Sequence, residues 1–271
     1  MDDCFAFIGA GNMGGALAEA VCRAVGAERV IVFDHNEEKT LALEKKTHCR
    51  TAKSAQEAVK AAHFVVMCVK PKVLPECLRS LAPTLKENGG KTLVSIAAGV
   101  TLDSIKSVLA ESGVKMPVIR LLPNTPVMVG KGLVLVMPSE DTPEEDISAV
   151  LDALRSAGSA ELFDEGLIDA ATPVFSCSPA YAYMFIEALA DGGVMAGVPR
   201  EAAQRFAAQS LLGAAAMVLE SGRHPGQLKD EVCSPGGSTI VGVEALEKAG
   251  FRAAVASAVY EAYVKTQSLG K

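Results

Sequence analysis

The chain has 271 residues, a length that suits two domains, and 49% of them are hydrophobic. Tryptophan is absent and aromatics reach only 5%, so the core must be aliphatic and rich in alanine. A net charge of −6 argues against a nucleic-acid partner, which requires a basic patch, and the sequence shows none. The seven cysteines show neither CxxC nor metal-ligand spacing, which reads as reduced thiols in a cytoplasmic protein, with no disulfide framework and no metal. No basic-flanked leader precedes the first strand candidate, and no charge-free apolar run approaches roughly 18 residues, so export and a membrane span are not expected.

From Cys4 to about Glu161, short apolar runs with strand character alternate with helix-like segments. The strand candidates are Phe5–Gly9, Val30–Asp34, Phe64–Val69, Thr92–Ile96, Val118–Leu121 and Leu133–Val136. Helices are predicted over Gly14–Val25, Glu37–Lys46, Ala55–Ala61 and Leu102–Leu109, with a further one opened by Thr142 as cap and Pro143 in its first turn. Such alternation implies a mainly parallel sheet covered on both faces. After about Leu167 the strand signals stop. Ala180–Ala196, Arg200–Ser221, Thr239–Lys248 and Phe251–Leu269 read as helices. Ala202–Leu219 carries small or apolar residues on most sides, and a helix of that kind must be buried all round. The helical segment is too short to bury it alone, so a second chain is expected to supply the rest.

Phe5–Ala6–Phe7–Ile8–Gly9–Ala10–Gly11–Asn12–Met13–Gly14 is a strand, a glycine turn and a helix start in succession. Gly9 permits the tight turn, Gly11 leaves room for a pyrophosphate, and Gly14 lets helix and strand approach. The helix start then offers unpaired N–H groups and its positive dipole end to the phosphates. Asp34 ends the second strand candidate at the usual spacing for a carboxylate on the adenine ribose. That favours NAD, yet His35, Asn36 and Lys39 are available to a 2′-phosphate, so the residues leave NAD and NADP open. Val69–Lys70–Pro71, Ala97–Ala98–Gly99 and the loop holding Asn124 follow other strands and should line the same crevice, because ligands of such sheets bind beyond the strand carboxyl ends. In the helical half, Cys233–Ser234–Pro235–Gly236–Gly237–Ser238–Thr239 forms a second flexible helix start suited to a small carboxylate, with Ser238 as its expected cap.

These segments resemble the pyrroline-5-carboxylate reductase family: Gly9–Gly14, Val69–Pro71, Ser95–Val100, Arg120 with Pro123–Pro126, Ala188–Val194, His224–Asp230 and, most specifically, Val232–Thr239. The resemblance implies an α/β Rossmann-type domain over 1–164, followed by an all-α dimerisation domain over 165–271. It implies reduction of the cyclic imine 1-pyrroline-5-carboxylate to proline in a homodimer formed through the helical domain, with larger rings as a further option. The cofactor then expected is NADP, with NAD as the alternative, held by Ile8, Gly9, Gly11, Asn12, Met13, Asp34, His35, Asn36, Ser54, Val69, Lys70, Pro71, Ala97, Ala98, Gly99 and Asn124. Thr239 is implied at the imine nitrogen; Ser234, Gly236, Gly237 and Ser238 at the substrate carboxylate; and Glu165 close to the substrate. Three features depart from the family: Thr172–Tyr181 lacks the usual glycines, Leu122 replaces the common methionine with little change of volume, and Glu231 stands where some members carry asparagine. The competing readings are a β-hydroxyacid dehydrogenase, or another imine reductase of this plan, and a non-catalytic dinucleotide sensor. The first needs a catalytic lysine, for which only Lys229 and Lys248 are at hand.

Overall fold

The computed structural model describes residues 4–269. Contacts divide the chain between Ala171 and Thr172 into two compact units, the first built on a single eight-stranded sheet.

In chain order the first unit contains β1 (Phe5–Ile8), α1 (Asn12–Val25), β2 (Val30–Phe33), α2 (Glu37–Thr47), β3 (Arg50–Thr51), α3 (Ala55–Lys60), β4 (Phe64–Met67), α4 (Leu74–Glu87), β5 (Thr92–Ser95), α5 (Leu102–Glu111), β6 (Val118–Pro123), β7 (Gly132–Pro138), α6 (Glu144–Leu154) and β8 (Gly158–Leu162). The strand order is β3-β2-β1-β4-β5-β6-β7-β8. All neighbours are parallel except β6 and β7. The six-strand portion β3 to β6 has the doubly wound order, with the reversal between β1 and β4, where a ligand crevice opens. β1, β4 and β5 are buried along their whole length, as central parallel strands between two helical layers must be. Alternation divides their side chains. Phe5 and Phe7 join Leu17, Val21, Val150 and Leu154 beneath α1 and α6. Ala6 and Ile8 join Val59, Leu78, Leu81, Ile105 and Leu109 beneath α3, α4 and α5.

The expected strands and helices of this half are present, and the structure adds others. α4 escapes a sequence reading because Pro83 lies inside it, where proline removes a backbone donor and normally breaks a helix. β3 is two residues long, and β8, Gly-Ser-Ala-Glu-Leu, has no β-branched residue and is largely exposed. Thr142 does not cap α6. The cap position is Pro143, and the Thr142 hydroxyl instead meets the Ser139 hydroxyl at 3.1 Å and the Val118 carbonyl at 3.4 Å.

Helix α7 (Ile168–Thr172) leads into the second unit through a π-helical turn over Pro173–Cys177, the segment whose glycines are missing. α8 (Ser178–Met195), α9 (Arg200–Ser221), α10 (Pro225–Val232), α11 (Ser238–Lys248) and α12 (Phe251–Leu269) follow. α10 begins in the expected way for a proline at its first position, with the His224 ring nitrogen Nδ1 accepting from Gly226 N at 3.0 Å. Of the 22 residues of α9 only Ala203 and Ala207 are buried. Phe206, Leu212, Met217 and Leu219 of the same helix are exposed.

Candidate active site

The crevice at the carboxyl ends of β1, β2 and β4 is shaped by three glycines with different tasks. Gly9 has φ of +110°, and a Cβ there would stand 2.8 Å from the Cys68 carbonyl oxygen. A Cβ on Gly14 would stand 2.5 Å from the Gly9 carbonyl oxygen and 2.7 Å from Cys68 Cβ, so α1 packs on the sheet only because that atom is missing. A Cβ on Gly11 would meet nothing within 4 Å. The space beside it is open. Gly11 is also the cap of α1 and makes no side-chain bond to the helix, so the first-turn N–H groups of Asn12, Met13 and Gly14 have no side-chain cap. The Met13 side chain packs on the core, which leaves its backbone as the group that can serve a ligand. Burial pushes the Cys68 thiol up, so a neutral sulfur underlies the turn.

Asp34 fastens this turn to β2. Its Oδ2 accepts from Ala10 N at 2.7 Å and its Oδ1 from Asn36 N at 2.9 Å. Each oxygen keeps a second lone pair, so a ribose can still be accepted, but the carboxylate is already a structural clasp. Asn36 caps α2, accepting from Glu38 N at 3.0 Å, and Ser54 caps α3, accepting from Glu57 N at 3.1 Å. A cleft of about 820 Å³ opens here, and Ile8, Gly9, Gly11, Asp34, His35, Ser54, Val69 and Lys70 line it together with Lys39 and Lys53. Asn12 borders a neighbouring cleft of about 500 Å³ with Gly11, Lys39 and Lys46. Open space beside Gly11, uncapped amides and a cationic rim fit a dinucleotide. Lys53 and Cys68 had no sequence signal, being placed by the ends of β3 and β4.

The loops after β5 and β6 lie along the same strand edge. Ala97 is buried while Ala98 and Gly99 are exposed, and Gly99 has φ of +74°. Asn124 is buried, with Oδ1 accepting from Leu133 N at 2.9 Å. Pro71 is exposed at the start of the connection to α4. Glu165 belongs to the sheet unit. Its Oε1 accepts from Arg120 Nη1 at 2.7 Å and from Leu102 N at 2.9 Å.

In the second unit, Gly237 N donates to the Ser234 carbonyl at 3.0 Å and Gly236 has φ of +71°, the pattern of a turn with proline second and glycine third. Gly237, not Ser238, is the cap of α11, and it makes no side-chain bond to the helix. Ser238 is the first helical residue, because glycine in extended backbone can hold the cap position itself. A Cβ on Gly237 would stand 2.5 Å from Ser234 Oγ. Ser234, Gly236, Ser238 and Thr239 are exposed. Glu231, the acidic departure, ion-pairs with Arg223. Lys229 is bonded to Asp230, which raises its pKa, and Lys248 pairs with Glu244 on the surface. Among the described residues no group of three His, Cys, Asp or Glu side chains could hold a metal ion.

The strand order, the glycine turn and the open amides define a dinucleotide-binding oxidoreductase of the Rossmann type. Residues 4–99 match the family model described as NADP oxidoreductase, coenzyme F420-dependent, and residues 165–269 match that of pyrroline-5-carboxylate reductase dimerisation. The chain is 41% identical to pyrroline-5-carboxylate reductase of Escherichia coli strain K12, with 100% of both chains covered. It is 38% identical to that of Pisum sativum over 97% of this chain and 94% of the other. The crystal structure of the Plasmodium falciparum enzyme with NADP bound superposes with a TM-score of 0.84 at 31% identity, covering 99% of this chain and 98% of that one. The chain belongs to the pyrroline-5-carboxylate reductase family.

Proposed function

We propose that this protein reduces 1-pyrroline-5-carboxylate to proline, the last step of proline biosynthesis, with NADPH as the preferred donor. One observation carries the reading. Each unit has a helix whose N-terminus is left open by a glycine cap, at Gly11 before α1 and at Gly237 before α11. A helix start of that kind holds an anion through its amides and dipole. The reaction brings together two anions, a pyrophosphate and a small ring carboxylate. A solved relative with NADP bound supports the donor, as do His35, Lys39 and Lys53 around the ribose end of the cleft. Asp34, whose charge is met by two backbone N–H groups, repels a 2′-phosphate less than a free carboxylate would.

The reduced nicotinamide supplies a hydride for the C=N carbon. That carbon is electrophilic once the ring nitrogen is protonated, so the chain needs no metal and no strong acid. The assigned work of the chain is alignment and exclusion of water. Ser234, Gly236, Gly237 and Ser238 grip the carboxylate, and the Thr239 hydroxyl orients or delivers the proton on nitrogen. A hydroxyacid dehydrogenase would need a free lysine, whereas Lys229 and Lys248 are paired with carboxylates.

The proposed limit between the two domains falls between residues 164 and 165, where the dimerisation model begins. The working form is a homodimer through the helical domain, within a larger ring in the fullest assembly, because the apolar surface left on α9 requires cover. Seven free thiols suit a reducing cytoplasm, and among the described residues no helix is long and apolar enough to cross a membrane. Oxidation of NADPH and of NADH should be followed in parallel with pyrroline-5-carboxylate and the product identified. Proline formed faster from NADPH is expected. No oxidation of either cofactor would refute the activity.

A further inference from the structure

Arg120 is a cation on β6 with 4% exposure, and its Nε has no partner among the described residues. A charge in that position must be matched, since a buried cation without its counter-ion is strongly destabilising. Glu165 matches it through Oε1, and the same oxygen also accepts the Leu102 N–H. Leu102 is the first residue of α5 and ends the loop that leaves β5. At its other end that loop is fixed by Ile96 N donating to Met67 O at 3.2 Å and by Ala97 N donating to Ser95 Oγ at 3.3 Å. Arg120 in turn lies in β6, just ahead of Pro123 and Asn124. One carboxylate oxygen therefore ties the start of α5, where the loop of residues 96–101 finishes, to β6 at a point three residues before the strand ends and the loop from Asn124 departs.

We infer that Glu165 and Arg120 are positioning residues, a brace that fixes the spacing of those two loops around the nicotinamide end of the crevice, so that Glu165 acts through the cofactor site instead of touching the substrate. The inference rests on the dinucleotide reading of the crevice. A misplacement of about 1 Å in a reacting group can lower a rate roughly a hundredfold, so a loop freed at one end should affect turnover and cofactor affinity together.

Leu102→Pro removes the contact together with the Leu102 side chain, which packs on the core, so Leu102→Ala, which keeps the N–H, is its control and is expected to bind NADPH as wild type does. Position 102 is the first of the helix, where proline is favoured, and Thr101 before it already has φ −79° and ψ 161°, the extended backbone that a following proline demands. The substitution removes the N–H that Glu165 accepts and leaves the ion pair with Arg120 intact. Glu165→Gln tests the charge in the full-length protein, keeping an acceptor for Leu102. NADPH binding is measured by fluorescence titration, and kcat and the KM for pyrroline-5-carboxylate by steady-state turnover. Leu102→Pro and Glu165→Gln are expected to weaken NADPH binding about tenfold and to lower kcat at least as much, with substrate KM within about twofold of wild type. Unchanged NADPH Kd and kcat in folded Leu102→Pro would overturn the brace. A rise confined to substrate KM in Glu165→Gln would also overturn it, placing the carboxylate on the substrate. Wild-type protein that binds no NADPH refutes the cofactor reading and the brace with it.

Discussion

Alanine at Gly11 and at Gly14 should have opposite consequences, although the two glycines stand three residues apart in one turn. At Gly14 the new Cβ meets a backbone oxygen at 2.5 Å and Cys68 Cβ at 2.7 Å, neither of which can swing away. Alanine is worth about 1 kcal/mol over glycine in a helix interior, but overpacking of this kind costs about 1–3 kcal/mol and sometimes more. The steric side prevails, because α1 must lift from the sheet to relieve two contacts at once. At Gly11 the backbone is extended, φ −68° and ψ −178°, and the Cβ meets nothing. Alanine there gains about 0.4–1 kcal/mol through the unfolded chain and loses a similar amount because it caps a helix less well than glycine, so stability should stay close to wild type. The methyl group nonetheless occupies the space assigned to the pyrophosphate. A clash of about 1–3 kcal/mol there corresponds to a roughly 5- to 150-fold rise in NADPH Kd. Thermal unfolding and fluorescence titration separate the cases. Gly14→Ala is expected to lower Tm by several degrees, at about 2–4 °C per kcal/mol, and Gly11→Ala to keep Tm while losing affinity. Wild-type NADPH affinity in Gly11→Ala would refute a phosphate at that turn, and a larger Tm loss in Gly11→Ala than in Gly14→Ala would refute the packing argument.

Thr239→Val keeps the shape of the side chain and removes its hydroxyl, so kcat should fall by about 10²–10⁴-fold, the range of a lost proton-transfer or orienting group, with NADPH Kd unchanged; wild-type turnover would remove Thr239 from the chemistry. Gly237→Ala drives a Cβ to 2.5 Å from Ser234 Oγ and 3.1 Å from the Ser234 carbonyl oxygen, so the Ser234 hydroxyl must rotate away from the position assigned to it at the substrate carboxylate. Substrate KM should rise at least tenfold while NADPH Kd stays put, which steady-state kinetics and titration check separately. Leu212→Glu places a charge on the half-exposed apolar surface of α9; light scattering after size-exclusion chromatography should report monomer in place of dimer, and an unaltered mass would exclude that face from the interface.

Much of the site was legible from residue order alone. A strand, Gly9, Gly11 and Gly14 can be read as a phosphate turn because each glycine answers a local demand, a left-handed φ, an open approach or a close packing, that chain neighbours impose within one turn. The same holds for Pro235–Gly236–Gly237, where proline and a positive φ specify the bend. The helix α4 was not legible, because Pro83 is tolerated only by virtue of the tertiary packing of Leu74, Leu78, Leu81 and Leu85. The expected caps Thr142 and Ser238 were each displaced by a neighbour: Thr142 bonds to Ser139, three residues back in the same turn, and to Val118, which comes near it only in the folded sheet.

By itself the sequence determined the two-part architecture, which follows from periodicity, while the glycine turn followed from a short-range motif and the family from resemblance over segments spread along the chain. Only the tertiary structure decided that Asp34 clasps the glycine turn, that Lys53 reaches the cleft, and that Glu165 joins Arg120 to the start of α5. Those contacts link residues 24, 45 and 63 positions apart in two of these cases. Their distances are set by strand order and burial, which close such long loops only after the sheet has assembled.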